Sequence, residues 1–383
     1  MKNLDRLIPL SAPFFSKEEE DLVQACVASS WVSSAGGWLD RFEKKLEEIC
    51  EVPQSVVLNS GTSALHLALM AVGVQPGDLV LIPNLTFVAT ANAISYLSAR
   101  PILVDVDPAY WQMDLNILQD FFQLSCTHTK TGLMYQGSRI AAVVPVHLLG
   151  YPMDVVRLKA ICASYDIPII EDATEALGSK LHGNPMGSFG TLGCLSFNGN
   201  KIITTGGGGA VLGHHKELVS KIRHWGNQAK QSGSFYFHDQ IGYNYRLTGL
   251  QASLGIAQLN KLEEILKRKS QIHSRYQEAF PKAVWPEVLP ASNPNYWLNT
   301  LLVNAPQKAV SALEALQIQA RPLWFPMNKL PMYKDCLYLH RKNYSQYIHQ
   351  HALSIPSSAG LSKEEQERVI AAVGPHILHA KNL

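Results

Sequence analysis

One lysine and one aspartate stand out for the chemistry that they could do together. Lys201 lies between an apolar segment and the glycine run 206–209, and Asp172 closes another apolar run 29 residues earlier. Held on neighbouring strands of one α/β sheet, the lysine could form a Schiff base with pyridoxal phosphate. The aspartate could keep the pyridine nitrogen of that cofactor protonated, so that the ring accepts electrons. The pair therefore predicts pyridoxal phosphate chemistry.

Each of the two residues also has a simpler interpretation. Most lysines are solvated surface residues, and an aspartate at a strand end can merely cap the next helix. Lys201 differs because its neighbours are small, apolar or hydroxylic, which predicts poor solvation and a lowered pKa. The glycine run 206–209 lacks the spacing of a dinucleotide-binding motif and leads into an apolar strand instead of a helix.

A candidate phosphate site precedes the first buried helix. The stretch 59–63, Asn-Ser-Gly-Thr-Ser, follows a short strand and opens a helix, so its backbone N–H groups and hydroxyls could bind a phosphate. An ordinary helix cap at Ser60 or Thr62 is the alternative. Ser196, five residues before Lys201, offers one more hydroxyl.

The elements that must position these residues follow from the apolar periodicity. Helices are predicted over 17–29, 38–50, 62–72, 87–97 and 153–165, and strands over 55–58, 78–82, 101–106, 140–147, 167–172, 192–197 and 210–212. Repeated β-α-β units with apolar strands favour a mostly parallel sheet covered on both faces. Beyond Gly242, one or two connected helices (248–276), strands at 297–303 and 320–323 and a helix at 363–373 indicate a smaller α+β unit. The predicted domains are 1–245 and 246–383.

The composition is typical of an enzyme with a large core. Apolar residues make up 46% and charged residues 17% of 383 residues, with a net charge of +2. The balance of charge disfavours nucleic acid and membrane surfaces as partners. Six cysteines without metal-binding spacing predict a reduced, cytoplasmic setting and no metal site, with Cys26, Cys162 and Cys194 as core residues. The first six residues lack the apolar stretch of a signal peptide.

Motifs along nearly the whole chain resemble the DegT/DnrJ/StrS sugar aminotransferases, which are pyridoxal phosphate enzymes of fold type I. The motifs are NSGTSALHLAL (59–69), PNLTFVATANAI (83–94), PVHLLGYPMD (145–154), EDATEALGS (171–179), SFNGNKIITTGGGGA (196–210) and GYNYRLTGLQASLGIAQL (242–259). The resemblance implies a large domain with a mostly parallel, seven-stranded sheet and a smaller C-terminal α+β domain.

The resemblance also implies a role for individual residues. Lys201 and Asp172 are the implied catalytic residues. Glu175 is expected to approach the ring hydroxyl of the cofactor, and Phe87 to stack on its pyridine face. Gly61, Thr62, Ser63 and Ser196 are expected around the phosphate, which Asn244 would reach from a neighbouring subunit. The implied substrate contacts, to which the segment 1–35 contributes, are Trp31, Val32, Ser33, Arg321, Trp324 and Tyr338.

The implied substrates are a nucleotide sugar and L-glutamate, in a homodimer with shared active sites. The stretch WVSSAG (31–36) and two of the motifs look most like the branch that acts on UDP- or GDP-linked 4-keto-6-deoxy-N-acetylhexosamines, on routes to bacillosamine and legionaminic acid. The segment 224–229 and Met327 depart from that branch, which leaves another keto sugar, such as a perosamine-type precursor, open.

Other activities use related residues. Desulfuration or decarboxylation of an amino acid would use the same Lys–Asp pair, together with an arginine clamp for the carboxylate that is not evident in the sequence. A dehydratase variant of the group has histidine in place of the lysine, so Lys201 disfavours it. A non-catalytic nucleotide-sugar sensor would not need the complete set of cofactor residues.

Overall fold

The computed structural model describes residues 7–233 and 235–378, so the predicted absence of a signal peptide in residues 1–6 concerns a segment outside the described residues. The helices are α1 Lys17–Ala28, α2 Gly37–Cys50, α3 Gly61–Ala71, α4 Ala89–Tyr96, α5 Leu115–Leu124, α6 Val155–Ala163, α7 Lys216–Gly226, α8 Gly249–Asn260, α9 Leu262–Ala279, α10 Pro306–Glu314, α11 Tyr344–His351 and α12 Lys363–Val373. The strands are β1 Gln54–Leu58, β2 Leu79–Pro83, β3 Arg100–Val104, β4 Thr127–Thr129, β5 Gly132–Tyr135, β6 Ser138–Val143, β7 Ile170–Asp172, β8 Lys180–Leu181, β9 Asn184–Pro185, β10 Leu192–Ser196, β11 Gly209–Gly213, β12 Ser292–Asn293, β13 Asn299–Leu302, β14 Arg321–Pro322, β15 Tyr338–Leu339 and β16 Ala352–Ile355.

A row of strands in the order β1-β11-β10-β7-β6-β2-β3 forms the centre of the molecule. Hydrogen-bonded pairing links β1 to β7 on one side and β6 to β3 on the other. The parallel bridges Val143–Ile169 and Val146–Asp172 join the two sides. Within the described residues, β11 alone runs antiparallel to its neighbours in this row. The predicted mostly parallel, seven-stranded sheet is therefore confirmed.

Helices cover both faces of the row because successive residues of its strands point to opposite sides. Val56 and Leu58 of β1 pack with α3, α4 and α7, whereas Val57 packs on the other side with α2 and α8. Cys26, Cys162 and Cys194 are buried core residues, as predicted. In the part of the chain that the structure describes, no helix has the length and apolar character needed to cross a membrane.

A second core lies around the antiparallel sheet β13-β16-β14, which α9, α10 and α12 cover. Ile8 belongs to this core and forms a parallel bridge with Ile318. Helix α8, which follows the predicted boundary at residue 245, packs instead against α1 and α2. Contacts from both ends thus cross that boundary, and the division into domains 1–245 and 246–383 stays a prediction.

Most predicted elements are present, and the differences have local causes. The predicted strand 140–147 ends at Val143 because Pro145 has no N–H to continue the ladder, although its carbonyl still accepts from Asp172 N at 2.8 Å. The stretch 248–276 forms two helices that meet at Lys261. Four amphipathic helices, α5, α7, α10 and α11, are not among the predicted elements.

Candidate active site

A cavity of about 390 Å³ opens where β1, β7 and β10 end. This is the edge of an open α/β sheet at which ligands bind, since strand ends and helix N-termini converge there. The residues that line it include Asn59, Ser60, Gly61, Thr62, Phe87, Thr90, Asp172, Thr174, Glu175, Ser196, Asn200, Lys201, Trp297, Arg321 and Trp324.

Asp172 is the last residue of β7 and is held by two threonines. Thr90 Oγ1 donates to its Oδ2 at 2.7 Å, and Thr174 donates to its Oδ1 through Oγ1 at 2.6 Å and through N at 3.2 Å. Because each carboxylate oxygen can accept more than one hydrogen bond, capacity remains for a ligand. The buried carboxylate is therefore fixed in direction and can still pair with a cationic group in the cavity.

Lys201 follows β10, which pairs in parallel with β7 as the sequence predicts. Its Nζ lies 3.5 Å from Glu175 Oε1; the Glu175 side chain is buried, and the Lys201 side chain is 13% exposed. Burial lowers the pKa of Lys201, against the opposing pull of Glu175 and Asp172. Burial also raises the pKa of Glu175 to about 7, although Lys201 and the Leu149 N–H oppose the shift. Glu175 is thus poised to gain or lose a proton near neutral pH, and the amine of Lys201 loses its proton more readily than a solvated lysine does.

The start of α3 forms an anion cradle against Ser196. The Ser60 side chain caps the helix by accepting from Ser63 N, while the N–H groups of Gly61 and Thr62 have no hydrogen-bond partner among the described residues. A Cβ on Gly61 would come within 2.9 Å of Ser196 Cβ and 3.2 Å of Thr174 Cγ2. Glycine is therefore required for the close approach, and two free donors face the cavity at a helix N-terminus. The alternative, a helix cap at Ser60, is present, and the two free donors support the phosphate site, which stays a prediction.

The glycine run after Lys201 serves a different purpose. A Cβ on Gly209 would come within 2.5 Å of the Ser60 carbonyl carbon, so this residue lets β11 pack tightly against the turn before α3. Gly209 also begins β11, a strand and not a helix. The prediction that the run leads into a strand is confirmed.

Glu171, the middle residue of β7, points to the face of the sheet opposite Asp172 and forms a separate buried site. It accepts hydrogen bonds from the N–H groups of Gly187, Phe189 and Gly190 at 2.6 to 2.9 Å. His147 Nε2 donates to it at 2.9 Å, because His147 Nδ1 already accepts from a backbone N–H. Burial alone would raise the pKa of Glu171, but these donors outweigh it and the pKa is lowered.

Aromatic side chains form one wall of the cavity. Phe87 meets Trp324 edge to face at 6.0 Å, and Trp324 stacks against Trp297 at 6.3 Å with 17° between the ring planes. The Trp297 ring in turn lies 3.7 Å from Lys201 Nζ. Arg321, exposed at the mouth, adds a cation. The wall can bind planar rings, and the mouth can attract an anion.

Some of the predicted site residues lie outside this cavity. Trp31, Val32 and Ser33 form an exposed segment whose last two carbonyls accept from the start of α8. Tyr338 lies in β15, at the far edge of the sheet, where its hydroxyl donates to Asn343. A single chain does not bring these four residues to the cofactor cavity, so their substrate role stays a prediction.

Ser63 and Asn244 lie beside the cradle without lining the cavity. Ser63 Oγ donates to Asn59 Oδ1 at 2.6 Å and so braces the loop before α3. Asn244 accepts from Asn59 Nδ2 through its backbone carbonyl at 3.3 Å, while its own side chain is exposed. The segment around Asn244 thus approaches the cradle of its own chain.

Three residues of the site were missed by the sequence analysis. Thr90 and Thr174 lie within two of the family motifs. Thr90 is 82 residues from Asp172, and threonine is a common residue, so the sequence did not indicate that either one donates to Asp172. Trp297 lies 96 residues beyond Lys201, and no local pattern distinguishes it from a core tryptophan. Contacts made only in the folded chain reveal all three.

The lysine, the clamped aspartate and the anion cradle fit pyridoxal phosphate, and the surrounding fold is that of a fold type I transferase. A family model matches residues 13–374, and the chain belongs to the DegT/DnrJ/EryC1/StrS aminotransferase family. It is a pyridoxal phosphate-dependent sugar aminotransferase.

Individual relatives agree with this assignment. The chain is 33% identical over 382 residues to GDP-perosamine synthase of Caulobacter vibrioides, covering 97% of this chain and 99% of that one. It is 36% identical over 253 residues to UDP-4-amino-4,6-dideoxy-N-acetyl-beta-L-altrosamine transaminase of Campylobacter jejuni, covering 66% and 64%. The crystal structure of a DegT DnrJ EryC1 StrS aminotransferase from Brucella abortus superposes with a TM-score of 0.87 at 27% identity, covering 94% and 95%.

Proposed function

We propose that the protein transfers the amino group of L-glutamate to C4 of a UDP- or GDP-linked 4-keto-6-deoxy-N-acetylhexosamine. The observation that carries the proposal is the single cavity that unites the amine of Lys201, the clamped carboxylate of Asp172 and the free N–H groups at the start of α3. Bound pyridoxal phosphate would carry the amino group from donor to acceptor and supply the electron sink that this transfer requires.

Each residue then has one task. Lys201 would bind the cofactor and afterwards move a proton at the reacting carbon, because burial lowers its pKa and makes the amine easier to deprotonate than that of a solvated lysine. Asp172 would pair with the pyridine nitrogen, held in direction by Thr90 and Thr174. Gly61, Thr62 and Ser196 would hold the phosphate, with Ser63 bracing the loop.

Glu175 completes the set by holding a proton close to Lys201. Its Oε2 accepts from Leu149 N at 2.7 Å, which leaves Oε1 facing the lysine. With a pKa raised to about 7, the carboxyl is partly protonated at neutral pH and can donate to an oxygen in the cavity. This supports the predicted contact between Glu175 and the ring hydroxyl of the cofactor.

The mouth of the cavity would recognise the nucleotide sugar. Arg321 can bind an anionic diphosphate, and Trp324 beside it offers a flat apolar surface. We keep Trp31, Val32, Ser33 and Tyr338 as proposed substrate contacts that a second subunit or a moved segment would have to bring to the cavity. Phe87 at the mouth remains the proposed stacking partner of the pyridine ring.

A second candidate is a 4-keto sugar nucleotide without the acetamido group, the perosamine-type precursor. It is favoured by the similarity to a GDP-perosamine synthase over nearly the full length of both chains. The N-acetylated substrate is favoured by the shorter but somewhat closer similarity to the Campylobacter jejuni transaminase. The two candidates differ at C2 of the sugar and need the same cofactor chemistry.

A substrate panel tests both candidates. The enzyme is incubated with glutamate, pyridoxal phosphate and UDP- or GDP-linked 4-keto-6-deoxy sugars, with and without the C2 acetamido group, and products are identified by mass spectrometry. We expect amination of an N-acetylated sugar, with Lys201→Ala as the inactive control. Amination of only the sugars without the acetamido group would favour the second candidate. No amination of any nucleotide sugar would contradict both.

We further propose a cytoplasmic homodimer with shared sites. Phe235, Tyr236 and Ile241 are more than 80% exposed on the loop before Asn244, more apolar surface than a wet loop favours. The Asn244 side chain has no hydrogen-bond partner among the described residues and is free to reach a neighbouring subunit. Tyr243 and Tyr245 flank it, stacked at 5.0 Å.

Mixed dimers test the sharing. Subunits with Lys201→Ala are combined with subunits carrying Asn244→Asp, whose new carboxylate repels a phosphate. If sites are shared, one site of each heterodimer carries both changes and the other carries neither, so activity returns on mixing. Heterodimers that form without regaining activity would place Asn244 in its own subunit's site, next to Asn59, or outside the site.

A further inference from the structure

The amine of Lys201 lies between a carboxyl group and an indole ring. Glu175 Oε1 is 3.5 Å from Nζ on one side, and the centroid of the Trp297 ring is 3.7 Å away on the other. A tryptophan face is the strongest aromatic partner of an ammonium ion, and the attraction grows where water is excluded. The ring therefore favours the protonated amine in a place where burial disfavours it.

Several contacts hold the indole ring of Trp297 in place. Its Nε1 donates to the carbonyl of Asn200, the residue before Lys201, at 2.6 Å. Its backbone N–H donates to Asn295 Oδ1 at 2.8 Å, and Asn295 Nδ2 donates to the Glu175 carbonyl at 2.8 Å. The segment 295–297 thus binds the backbone at Glu175 and at Asn200, on either side of the amine. A ring fixed in this way can serve as a defined position for Lys201.

A buried lysine anchors the carbonyl of Trp297. Lys269 of α9 is 3% exposed and donates to the carbonyls of Trp297 and Ser357, each at 2.7 Å. In residues 7–233 and 235–378 it has no carboxylate partner. Burial lowers the pKa of Lys269 to about 7, so its charge costs free energy there. This cost in free energy is consistent with a role for Lys269 in fixing the position of the Trp297 backbone.

We infer that Trp297 is an active-site residue that holds the ε-ammonium of Lys201 on its indole face whenever that amine is free, and that Lys269 is a positioning residue for Trp297. The inference rests on the proposed role of Lys201. During the reaction the lysine must leave the cofactor and later return to it. A fixed position between Glu175 and Trp297 keeps the amine within reach and sets its proton affinity, together with the nearby charge of Asp172.

The test measures the pKa of Lys201 itself. In the full chain without cofactor, the rate of reductive methylation at Lys201 is followed against pH by peptide mass spectrometry. We expect Trp297→Leu to lower the pKa of Lys201 by about one unit and Trp297→Phe by less, because phenylalanine keeps a weaker ring face. Lys269→Met should shift the pKa in the same direction by about half as much.

Steady-state kinetics of the complete enzyme give the second readout. We expect kcat to fall about tenfold in Trp297→Leu with KM unchanged, and its pH profile to move with the pKa of Lys201. Trp285→Leu is the matched control, since it removes a tryptophan that packs in the second core, away from the cavity. It should leave both readouts unchanged.

The outcomes separate this inference from the proposed function. An unchanged pKa of Lys201 in both Trp297→Phe and Lys269→Met would overturn the inference, even if Trp297→Leu failed to fold. Borohydride reduction of the wild-type enzyme, followed by peptide mapping, independently asks whether the cofactor attaches to Lys201. Attachment to another lysine would refute the proposed role of Lys201, whereas attachment with an unchanged pKa in the variants would refute only the role of Trp297.

Discussion

Two glutamates four residues apart, Glu171 and Glu175, are both fully buried but lie in opposite environments. Glu171, behind β7, accepts from three backbone N–H groups and from His147, and its pKa is lowered. Glu175, in the cavity, has one backbone donor and the amine of Lys201, and its pKa is raised to about 7. Burial raises the pKa of both carboxyls, and the number of hydrogen-bond donors decides whether the net pKa shift is upward or downward.

The difference separates a structural carboxylate from one available for chemistry. With four donors in place, Glu171 ties the turn 187–190 to the sheet and has little capacity left for another partner. Glu175 is left with an oxygen that faces Lys201 and the cavity. Substitutions in the cavity should therefore reduce catalysis and leave stability unchanged. Substitution of Glu171 should reduce stability and leave catalysis unchanged.

Removing the amine is the strongest test of the cavity side. We expect Lys201→Ala to lower kcat by about ten-thousandfold or more, since no other group can both bind the cofactor and move the proton. Its free energy of unfolding should not fall, because a poorly solvated amine is removed. Denaturant titration and single-turnover assays measure both. Lys180→Ala, which removes a partly exposed lysine 3.8 Å from Glu51, is the matched control; equal activities of the two variants would refute the assignment.

Replacing Asp172 by asparagine should have the next largest effect. Without the carboxylate, the pyridine nitrogen loses its charge partner, and we expect a rate loss of about a thousandfold, or about 4 kcal/mol in the barrier. Thr174 can still donate to the amide oxygen, and the Thr90 hydroxyl can turn to accept from the new amide NH2, so the fold should persist. Turnover equal to wild type would reduce Asp172 to a strand-end residue that caps the following turn.

Glu171→Gln tests the other side of the comparison. A neutral amide cannot accept well from all four donors, and we expect the free energy of unfolding to fall by about 3 kcal/mol. Activity per folded molecule should change less than twofold. Urea unfolding, with activity normalised to the folded fraction, checks this. A large loss of kcat at full stability would show that the region behind β7 takes part in the chemistry after all.

Glu175→Gln should have the smallest effect, and one that depends on pH. The folded-state pKa of Glu175 is raised, so its contribution to stability is complete below the unfolded pKa of about 4.5 and is lost as pH rises towards about 7. Glutamine carries no such loss. We therefore expect the cofactor-free variant to be more stable than wild type by about 2 kcal/mol at pH 8 and equally stable near pH 4.5. Parallel pH profiles of the two proteins would contradict the raised pKa.

Much of the fold was predictable from the sequence because it depends on local patterns. Alternating apolar runs and amphipathic stretches specify parallel strands covered by helices, and the helix 363–373 has the predicted bounds. The shift of the strand at 140–147 and the unpredicted α5, α7, α10 and α11 show the limit. Short elements owe their form to the surface on which they pack, which no local window contains.

The sequence by itself determined the chemistry: a lysine and an aspartate at two strand ends, a serine- and glycine-rich turn before a helix, and motifs that together imply the cofactor. Only the tertiary structure decided how these groups are tuned. It placed Thr90 and Thr174 on Asp172, Trp297 and Glu175 on either side of Lys201, and Lys269 behind Trp297. The physical reason is that residue type fixes which charges and donors exist, whereas burial and the distance between groups far apart in sequence fix their proton affinities.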